Sequence, residues 1–182
     1  MSRVYIFLAD GFEEVEALVP VDLLRRAGVA VETVSISNTN LVTGRSGISV
    51  MADKLLGEIA FDEAELLVLP GGMPGTKNLG ACKALTDQIA AFAGNKDKKI
   101  AAICAAPTVF GQLGVLEGKK ACCYPGLEEK LLGAEASCDR VVVDGNIITS
   151  RGAGTAMDFA LTLIAQLVDE ETAEKVRQSI VG

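Results

Sequence analysis

Short apolar runs alternate along the chain with longer segments whose apolar residues recur at helical spacing. The runs predict strands at residues 4–8 and 29–37, a strand running into a glycine turn over 65–72, and a strand meeting the start of a helix over 98–107. The helical spacing predicts helices over residues 13–27 and 85–92, which Gly28 and Gly94 are placed to end, and a last long helix along 159–167. Repeated β-α alternation with continuous apolar strands indicates a parallel sheet that helices cover on both faces.

Two further segments predict local pairing of strands. The glycines of "LVTGRSGISVMAD" (41–53) are spaced for a hairpin or an irregular β excursion, and residues 141–143 and 147–149 flank the turn "DGN". No linker, internal repeat or low-complexity segment interrupts the pattern. We therefore predict one domain over residues 1–182, of class α/β, built as a three-layer α/β/α sandwich around a mostly parallel sheet.

Composition and charge narrow the classes of partner. The 182 residues are 49% hydrophobic, which is enough to fill one core without disulfides. The net charge is −7 and the one basic run is "KDKK" at 96–99, so neither nucleic acid nor an anionic membrane surface is expected as a partner. The apolar run in "RVYIFLAD" is too short for a signal-peptide core, and no stretch approaches the length of a membrane span. We expect a cytoplasmic protein.

The cysteine spacing and the absence of histidine limit which side chains could carry out chemistry. Five cysteines lie at 82, 104, 122, 123 and 138 without CxxC spacing, so we expect reduced thiols that are mostly buried. The chain has no histidine, which excludes a Ser-His or Cys-His dyad within it and leaves few ligands for zinc. We expect no metal and no cofactor, and chemistry that uses carboxylates, thiols, hydroxyls and backbone amides.

Cys104 lies where a predicted strand runs into a helix, and ligands collect at such junctions in α/β sheets. Ala102 and Ala106 flank it at the offsets where a strand-to-helix turn that projects a nucleophile needs small residues, and Pro107 suits the first turn of a helix. A thiol at the start of a helix is expected to have a lowered pKa. An inert cysteine buried in a strand is the alternative.

The segment "LPGG" (69–72) is the expected companion of Cys104. Its glycines follow a strand and leave backbone N–H groups open to a ligand. The N–H groups of Gly72 and Ala105 would then form an oxyanion hole, although the motif taken alone is better explained as a plain glycine turn. "GGMPGTK" lacks the spacing of a phosphate-binding loop, so nucleotide binding is not expected.

Three glutamates stand close together in "DGFEEVEALVPVD" (10–22). Glu13 and Glu14 fall in the first turn of a predicted helix, where acidic side chains stabilise the positive end by about 0.3–1 kcal/mol each. Glu16 lies further in, within an apolar stretch, where burial would raise the pKa of its carboxyl group. Beside a thiolate it would share a proton, with thiolate and protonated Glu16 as the expected working state.

Four motifs give the chain a family resemblance: "GFEEVEALVPVDLLRRAG", "VLPGG", "AAICAAPTVFG" and "TSRGAGTAMDFAL". In sequence and order they resemble the ThiJ/PfpI superfamily, and best its deglycase branch, which includes a human parkinsonism-linked member and bacterial relatives. The resemblance implies a flavodoxin-like sandwich and a homodimer. It also implies that Cys104 is the nucleophile, that Glu16 is its carboxyl partner, and that the amides of Gly72 and Ala105 bind an oxyanion.

The function implied is a cofactor-independent enzyme of the glutathione-independent glyoxalase or deglycase type. It would convert methylglyoxal or glyoxal to 2-hydroxy acids, or remove early glycation adducts from amines. The alternative is a redox sensor or oxidative-stress chaperone that works by oxidation of Cys104.

The chain also departs from the family pattern. Relatives carry a histidine in the segment that here reads "CCYPG", where this chain has Tyr124, so Cys-His proteolysis is not expected. The hairpin region lacks the family's accessory cysteine. Arg151 is a candidate for binding an anionic group or for a structural role, and Cys122 and Cys123, in a predicted strand, are expected to serve packing.

Overall fold

The computed structural model describes residues 3–182. Its strands and helices follow the alternation that the sequence predicts, with short additions between them. They are β1 (Arg3–Leu8), α1 (Glu14–Arg26), β2 (Ala30–Ser35), β3 (Leu41–Thr43), β4 (Ser49–Met51), β5 (Lys54–Leu55), β6 (Leu66–Leu69), α2 (Gly75–Ala81), α3 (Lys83–Ala93), β7 (Lys99–Ile103), α4 (Pro107–Gln112), β8 (Lys120–Ala121), β9 (Glu135–Ala136), β10 (Val141–Asp144), β11 (Ile147–Ser150), α5 (Ala156–Leu167) and α6 (Glu170–Ser179).

The central sheet of the described residues has seven strands in the order β10-β11-β7-β6-β1-β2-β5. All neighbours are parallel except β10 and β11, which form the antiparallel hairpin predicted around "DGN". The hairpin predicted within residues 41–53 is also present, as β3 paired with β4. The mostly parallel α/β sandwich is therefore confirmed.

Helices cover both faces of the sheet because the strand side chains alternate. On β1, Ile6 and Leu8 point into a core shared with α1, α5 and α6, while Tyr5 and Phe7 point into a second core shared with α2, α3 and α4. All four of these side chains are fully buried. Two apolar cores on opposite faces of one sheet make the three layers.

The structure differs from the sequence predictions at short or polar elements. Helix α2 has seven residues and α6 has a polar surface, and neither was predicted because apolar periodicity is weak in both. Cys122 and Cys123 lie just after β8 rather than within a strand, yet both are fully buried. Helix α1 ends at Arg26, and Gly28 has the positive φ (77°) expected of a glycine past a helix end.

The carboxyl ends of three central strands place the site. Because β1, β6 and β7 are adjacent and parallel, the segments that follow Leu8, Leu69 and Ile103 emerge at one edge of the sheet. These are the junctions at which the sequence predicts chemistry. No helix between residues 3 and 182 combines the length and the apolar character that crossing a bilayer requires.

Candidate active site

Cys104 follows β7 directly, in a sharp turn between strand and helix. Its backbone has φ = 66°, in the left-handed region that side chains other than glycine rarely adopt. Two hydrogen bonds hold this conformation: the N–H of Cys104 donates to the carbonyl of Ser150 (3.0 Å), and its carbonyl accepts from the N–H of Tyr124 (2.8 Å). A strained residue held on both sides is typical of a functional position, and the turn projects the thiol beyond the sheet edge.

Glu16 meets this thiol from helix α1. The residue is 1% exposed, and its carboxyl group hydrogen-bonds the thiol of Cys104 and accepts the N–H of Gly71 at Oε2 (2.9 Å). A Cβ added at Gly71 would lie 2.6 Å from both Cys104 Cβ and Glu16 Oε2. The residue at position 71 must therefore lack a side chain for the acid and the thiol to meet.

Two backbone amides complete the surroundings of the sulfur. The N–H groups of Ala105 and Gly72 hydrogen-bond the side chain of Cys104. Gly72 has φ = 88°, and a Cβ there would collide with the backbone of Gly11 and Glu13, so this close turn requires glycine. The structure thus brings together all four residues that the sequence singled out, with two donors converging on the position of the nucleophile.

Burial dominates the protonation of this pair. It raises the pKa of Glu16 to about 7, although the hydrogen bonds with Cys104 and Gly71 act in the opposite direction. Burial and, after it, the neighbouring Glu16 carboxylate together raise the pKa of the Cys104 thiol to about 12, whereas the hydrogen bonds from the amides of Ala105 and Gly72 act to lower it. The expectation of a lowered thiol pKa is wrong, because burial and the carboxylate outweigh the amides.

The hydrogen bond between the two groups makes them titrate as a unit. One proton leaves the pair near pH 7 and the second near pH 12. Over the range between these values, Glu16 and Cys104 hold a single proton between them. The pair can therefore exchange a proton with a bound molecule at neutral pH.

Glu13 and Glu14, which the sequence assigned only to stabilising the start of a helix, also bind the β3–β4 hairpin. Glu14 is 5% exposed, and its Oε1 accepts the N–H groups of Ser46 (2.9 Å) and Ile48 (3.4 Å), which fastens the β3–β4 hairpin to α1. Glu13 forms an ion pair with Arg45 of the same hairpin (3.1 Å). These partners could not be predicted from sequence because they lie far away along the chain.

The side chains of the remaining candidates have partners other than the Glu16–Cys104 pair or none among the described residues. Arg151 donates from Nη1 to the carbonyl of Cys138 (3.2 Å), and its Nε is buried without a partner among the described residues. Tyr124 is 53% exposed and touches the site through its backbone bond to Cys104. Cys122 packs with its thiol against Thr149 Oγ1 (3.6 Å).

Two residues near the site were missed at the sequence level. Gly71 donates to Glu16, and the charge of Arg45 lowers the pKa of that carboxyl group. The second glycine of "PGG" was a usable signal for a close turn at Gly71, whereas nothing in the sequence pointed to Arg45. Within residues 3–182, no three Cys, Asp or Glu side chains cluster in a way that would hold a metal ion.

Comparison with known proteins gives a consistent set of relatives. Residues 2–166 match the DJ-1/PfpI family. The chain is 43% identical over 183 residues to protein DJ-1 homolog B of Arabidopsis thaliana, covering 99% of this chain but 41% of that protein, so it spans less than half of that relative's length. It is 35% identical to a Pyrococcus abyssi protein that carries the name deglycase, over 84% of this chain and 91% of the other. The solved structure of oxidized Toxoplasma gondii DJ-1 superposes with a TM-score of 0.94 at 36% identity, over 100% of this chain and 98% of that one.

Proposed function

The chain belongs to the DJ-1/PfpI family, and we propose that it is a cofactor-independent cysteine enzyme acting on reactive dicarbonyls. It converts methylglyoxal and glyoxal to 2-hydroxy acids, and removes the early adducts that they form with amines. The observation that carries the proposal is the hydrogen-bonded pair of Glu16 and Cys104, which holds one proton at neutral pH beside two amide donors. The name deglycase of the Pyrococcus abyssi relative supports the same class of reaction.

The reaction begins when the Glu16 carboxylate takes the proton of the Cys104 thiol, which leaves the pair as thiolate and carboxylic acid. The sulfur of Cys104 attacks the aldehyde carbon of methylglyoxal and forms a C–S bond, while the carbonyl π electrons move to oxygen. The amides of Gly72 and Ala105 stabilise that oxyanion, which then takes the proton of Glu16 to give a hemithioacetal.

Glu16, now a carboxylate, carries the next proton transfer. It removes the hydrogen of the carbon bonded to sulfur, and the electrons form an enediolate with the negative charge on the former ketone oxygen. Glu16 then returns the proton to the adjacent carbon, while the hydroxyl proton of the sulfur-bearing carbon passes to the negatively charged oxygen. The product is the thioester of a 2-hydroxy acid on Cys104. Water adds to this thioester, the C–S bond breaks, and lactate leaves with the thiol restored. In sum, methylglyoxal gains one water.

Removal of a glycation adduct proceeds through the same hemithioacetal intermediate. In a hemiaminal of methylglyoxal, the thiolate displaces the amine at the carbon that bears it, and Glu16 protonates the departing nitrogen. The resulting hemithioacetal then continues to lactate. The overall change is adduct plus water to free amine plus 2-hydroxy acid.

The direct test is consumption of methylglyoxal without glutathione, with lactate quantified. Cys104→Ser and Glu16→Gln should each lower turnover by about a hundredfold or more, because one removes the nucleophile and the other the proton shuttle. Cys138→Ser, which removes an exposed thiol elsewhere, and Glu170→Gln, which removes an exposed carboxyl group on α6, are matched controls that should retain turnover. Negligible turnover by the unmodified protein would reject the proposal.

A second function is favoured by the partial exposure of Cys104 beside an acid that can donate to an oxidised sulfur. In a redox sensor, hydrogen peroxide would oxidise the thiolate to a sulfenic acid and then to a sulfinate, with Glu16 hydrogen-bonded to the product. The Toxoplasma gondii relative is a DJ-1 protein whose solved structure is of the oxidized form. Selective oxidation of Cys104 at low peroxide in a protein without dicarbonyl turnover would favour this function.

We also propose that the protein works as a homodimer. Val15 and Leu18 on α1 are 45% and 38% exposed, and Ile48 and Met51 on the adjoining hairpin are 56% and 69% exposed. Glu14 fastens the hairpin to α1, so these four side chains form one apolar patch. All five cysteines are free thiols, which supports a reducing compartment such as the cytoplasm.

A further inference from the structure

A groove of about 400 Å³ opens beside Ala105, one of the two oxyanion donors. Met73, which follows Gly72 directly, and Ala105 line one end of it. Helices α2 and α4 form its walls, and the short turn that ends at Lys130 closes the far side. The lining of the groove therefore includes one oxyanion donor, Ala105, and the residue that follows the other, Gly72.

The charged residues that line the groove are Lys77 and Lys130. Neither forms an ion pair with any residue between 3 and 182, although most of the other lysines are paired. Glu128, close to Lys130 in sequence, directs its carboxylate to the N–H of Gly126 (2.7 Å) instead. In a chain of net charge −7, two unpaired ammonium groups at one groove make a local positive potential that attracts anions.

The size of the groove also exceeds what a small dicarbonyl needs. Cavities of roughly 300–1,000 Å³ suit ligands of drug size, whereas methylglyoxal would fill only the end at Ala105. The remaining space is lined by the methylene chains of the lysines, by Thr108 and by Gln112. It offers room for a chain attached to the reacting carbonyl.

We propose that this groove binds an anionic group, a carboxylate or a phosphate, carried by the substrate at the end of a short chain. The inference rests on the proposed dicarbonyl chemistry and narrows its substrates to 2-oxoaldehydes, and adducts of them, that bear such a group. Lys77 and Lys130 hold the anion, and the carbonyl reaches Cys104 through the end of the groove at Ala105. Lysine suits this role because its ammonium group acts as a point charge toward either anion.

The experiment compares kcat/KM for matched substrates of two chain lengths. 4,5-Dioxopentanoate and 5,6-dioxohexanoate carry the carboxylate, their methyl esters lack the charge, and the corresponding phosphonates stand for phosphate. The anionic compounds should be preferred over the esters by about fivefold to tenfold at low salt, and the preference should shrink in high salt. The carboxylate and phosphonate arms identify which anion fits better.

Variants of the groove decide whether the lysines are responsible. In the double variant Lys77→Gln, Lys130→Gln, the ratio of kcat/KM for acid over ester should fall to about one. Lys96→Gln, which removes an exposed ammonium group outside the groove, should keep the ratio of the unmodified protein. A ratio near one in the unmodified protein, or a ratio that the double variant leaves unchanged, would overturn the inference.

A binding measurement separates this inference from the proposed function. Cys104→Ser, labelled with ¹⁵N, is titrated with 4,5-dioxopentanoate and with its methyl ester. The backbone amides of Lys77 and Lys130 should shift with the acid and stay still with the ester, whether or not the unmodified protein turns either compound over. Absence of these shifts would reject the groove as an anion site, while turnover alone decides the enzyme.

Discussion

The carboxyl group of Glu16 and the thiol of Cys104 share a hydrogen bond across two elements of the fold, helix α1 and the turn after β7. The two side chains are tightly packed against Gly71, because a Cβ added at Gly71 would lie 2.6 Å from both Cys104 Cβ and Glu16 Oε2. Neither group titrates on its own in such a contact, and the first proton leaves the pair near pH 7.

This coupling predicts how alkylation of Cys104 depends on pH. The rate of modification by iodoacetamide, followed for the Cys104 peptide by mass spectrometry, should rise through about pH 7, well below the ordinary thiol pKa of 9.0. The reason is that Glu16, once it has lost its own proton, is a carboxylate that can accept the proton of the Cys104 thiol and so makes thiolate available.

Glu16→Gln is the test of that explanation. The variant cannot share a proton, so the buried thiol must ionise alone, and the midpoint of the alkylation rate should move well above pH 7. Glu170→Gln, at an exposed position at the start of α6, is the control and should keep the midpoint of the unmodified protein. An unchanged midpoint in Glu16→Gln would mean that the acid and the thiol titrate independently.

Gly71→Ala should break the same contact by steric means. The new methyl group would overlap Cys104 Cβ and Glu16 Oε2, so we expect a loss of about 1–3 kcal/mol in the free energy of unfolding and a fall in dicarbonyl turnover. Urea unfolding and the lactate assay measure the two effects. Gly57→Ala, where an added Cβ meets nothing within 4 Å, should leave both nearly unchanged. Equal behaviour of the two variants would contradict the packing described for Gly71.

Sequence reasoning found the residues of the site but not its electrostatics. Small residues around Cys104 and the glycines after β6 are local signals, since a crowded backbone turn restricts residue type directly. The partners of Glu13 and Glu14 lie on a hairpin far along the chain, and burial of Cys104 depends on all three layers. The pKa of the thiol was therefore misjudged from its place before a helix, while Glu16 was identified because an acid within an apolar stretch is unusual.

The buried contact of Glu14 predicts a pH-dependent stabilisation. Burial alone would raise the pKa of Glu14, but the backbone hydrogen bonds that it accepts, including those of Ser46 and Ile48, lower it. A carboxyl group with a lowered pKa stabilises the fold above its ordinary pKa of 4.5, and this contribution is lost as the pH falls further.

Glu14→Gln should therefore reduce the free energy of unfolding by about 1–2 kcal/mol at pH 7, because two charge-assisted hydrogen bonds become neutral ones. The difference from the unmodified protein should shrink as the pH drops below about 4.5. Glu13→Gln removes only a partly exposed ion pair and should cost less than about 1 kcal/mol. A constant difference between pH 7 and pH 3.5 would show that the charge of Glu14 is not what matters.

The fold, like the site, could be predicted from the sequence where the signal is local and not where the structure depends on distant contacts. Long elements such as α1 and β7 carry strong patterns, and the alternation along β1 follows from helices on both faces. The structure of the short elements α2, β5 and β8 depends on contacts with neighbouring elements. Their own sequences therefore carry little periodicity from which a helix or strand could be predicted.

The apolar patch on α1 and the β3–β4 hairpin gives the last prediction, which concerns assembly. Leu18→Glu combined with Met51→Glu should convert a dimer to a monomer, because each charge would be buried without a partner in an interface built on that patch. Sedimentation equilibrium of the unmodified and doubly substituted chains measures the change. Leu132→Glu combined with Val168→Glu introduces the same charges at side chains of similar exposure outside the patch and should leave the dimer intact. A dimer that survives the first pair of substitutions but not the second would place the interface elsewhere, and a monomeric unmodified protein would reject the homodimer itself.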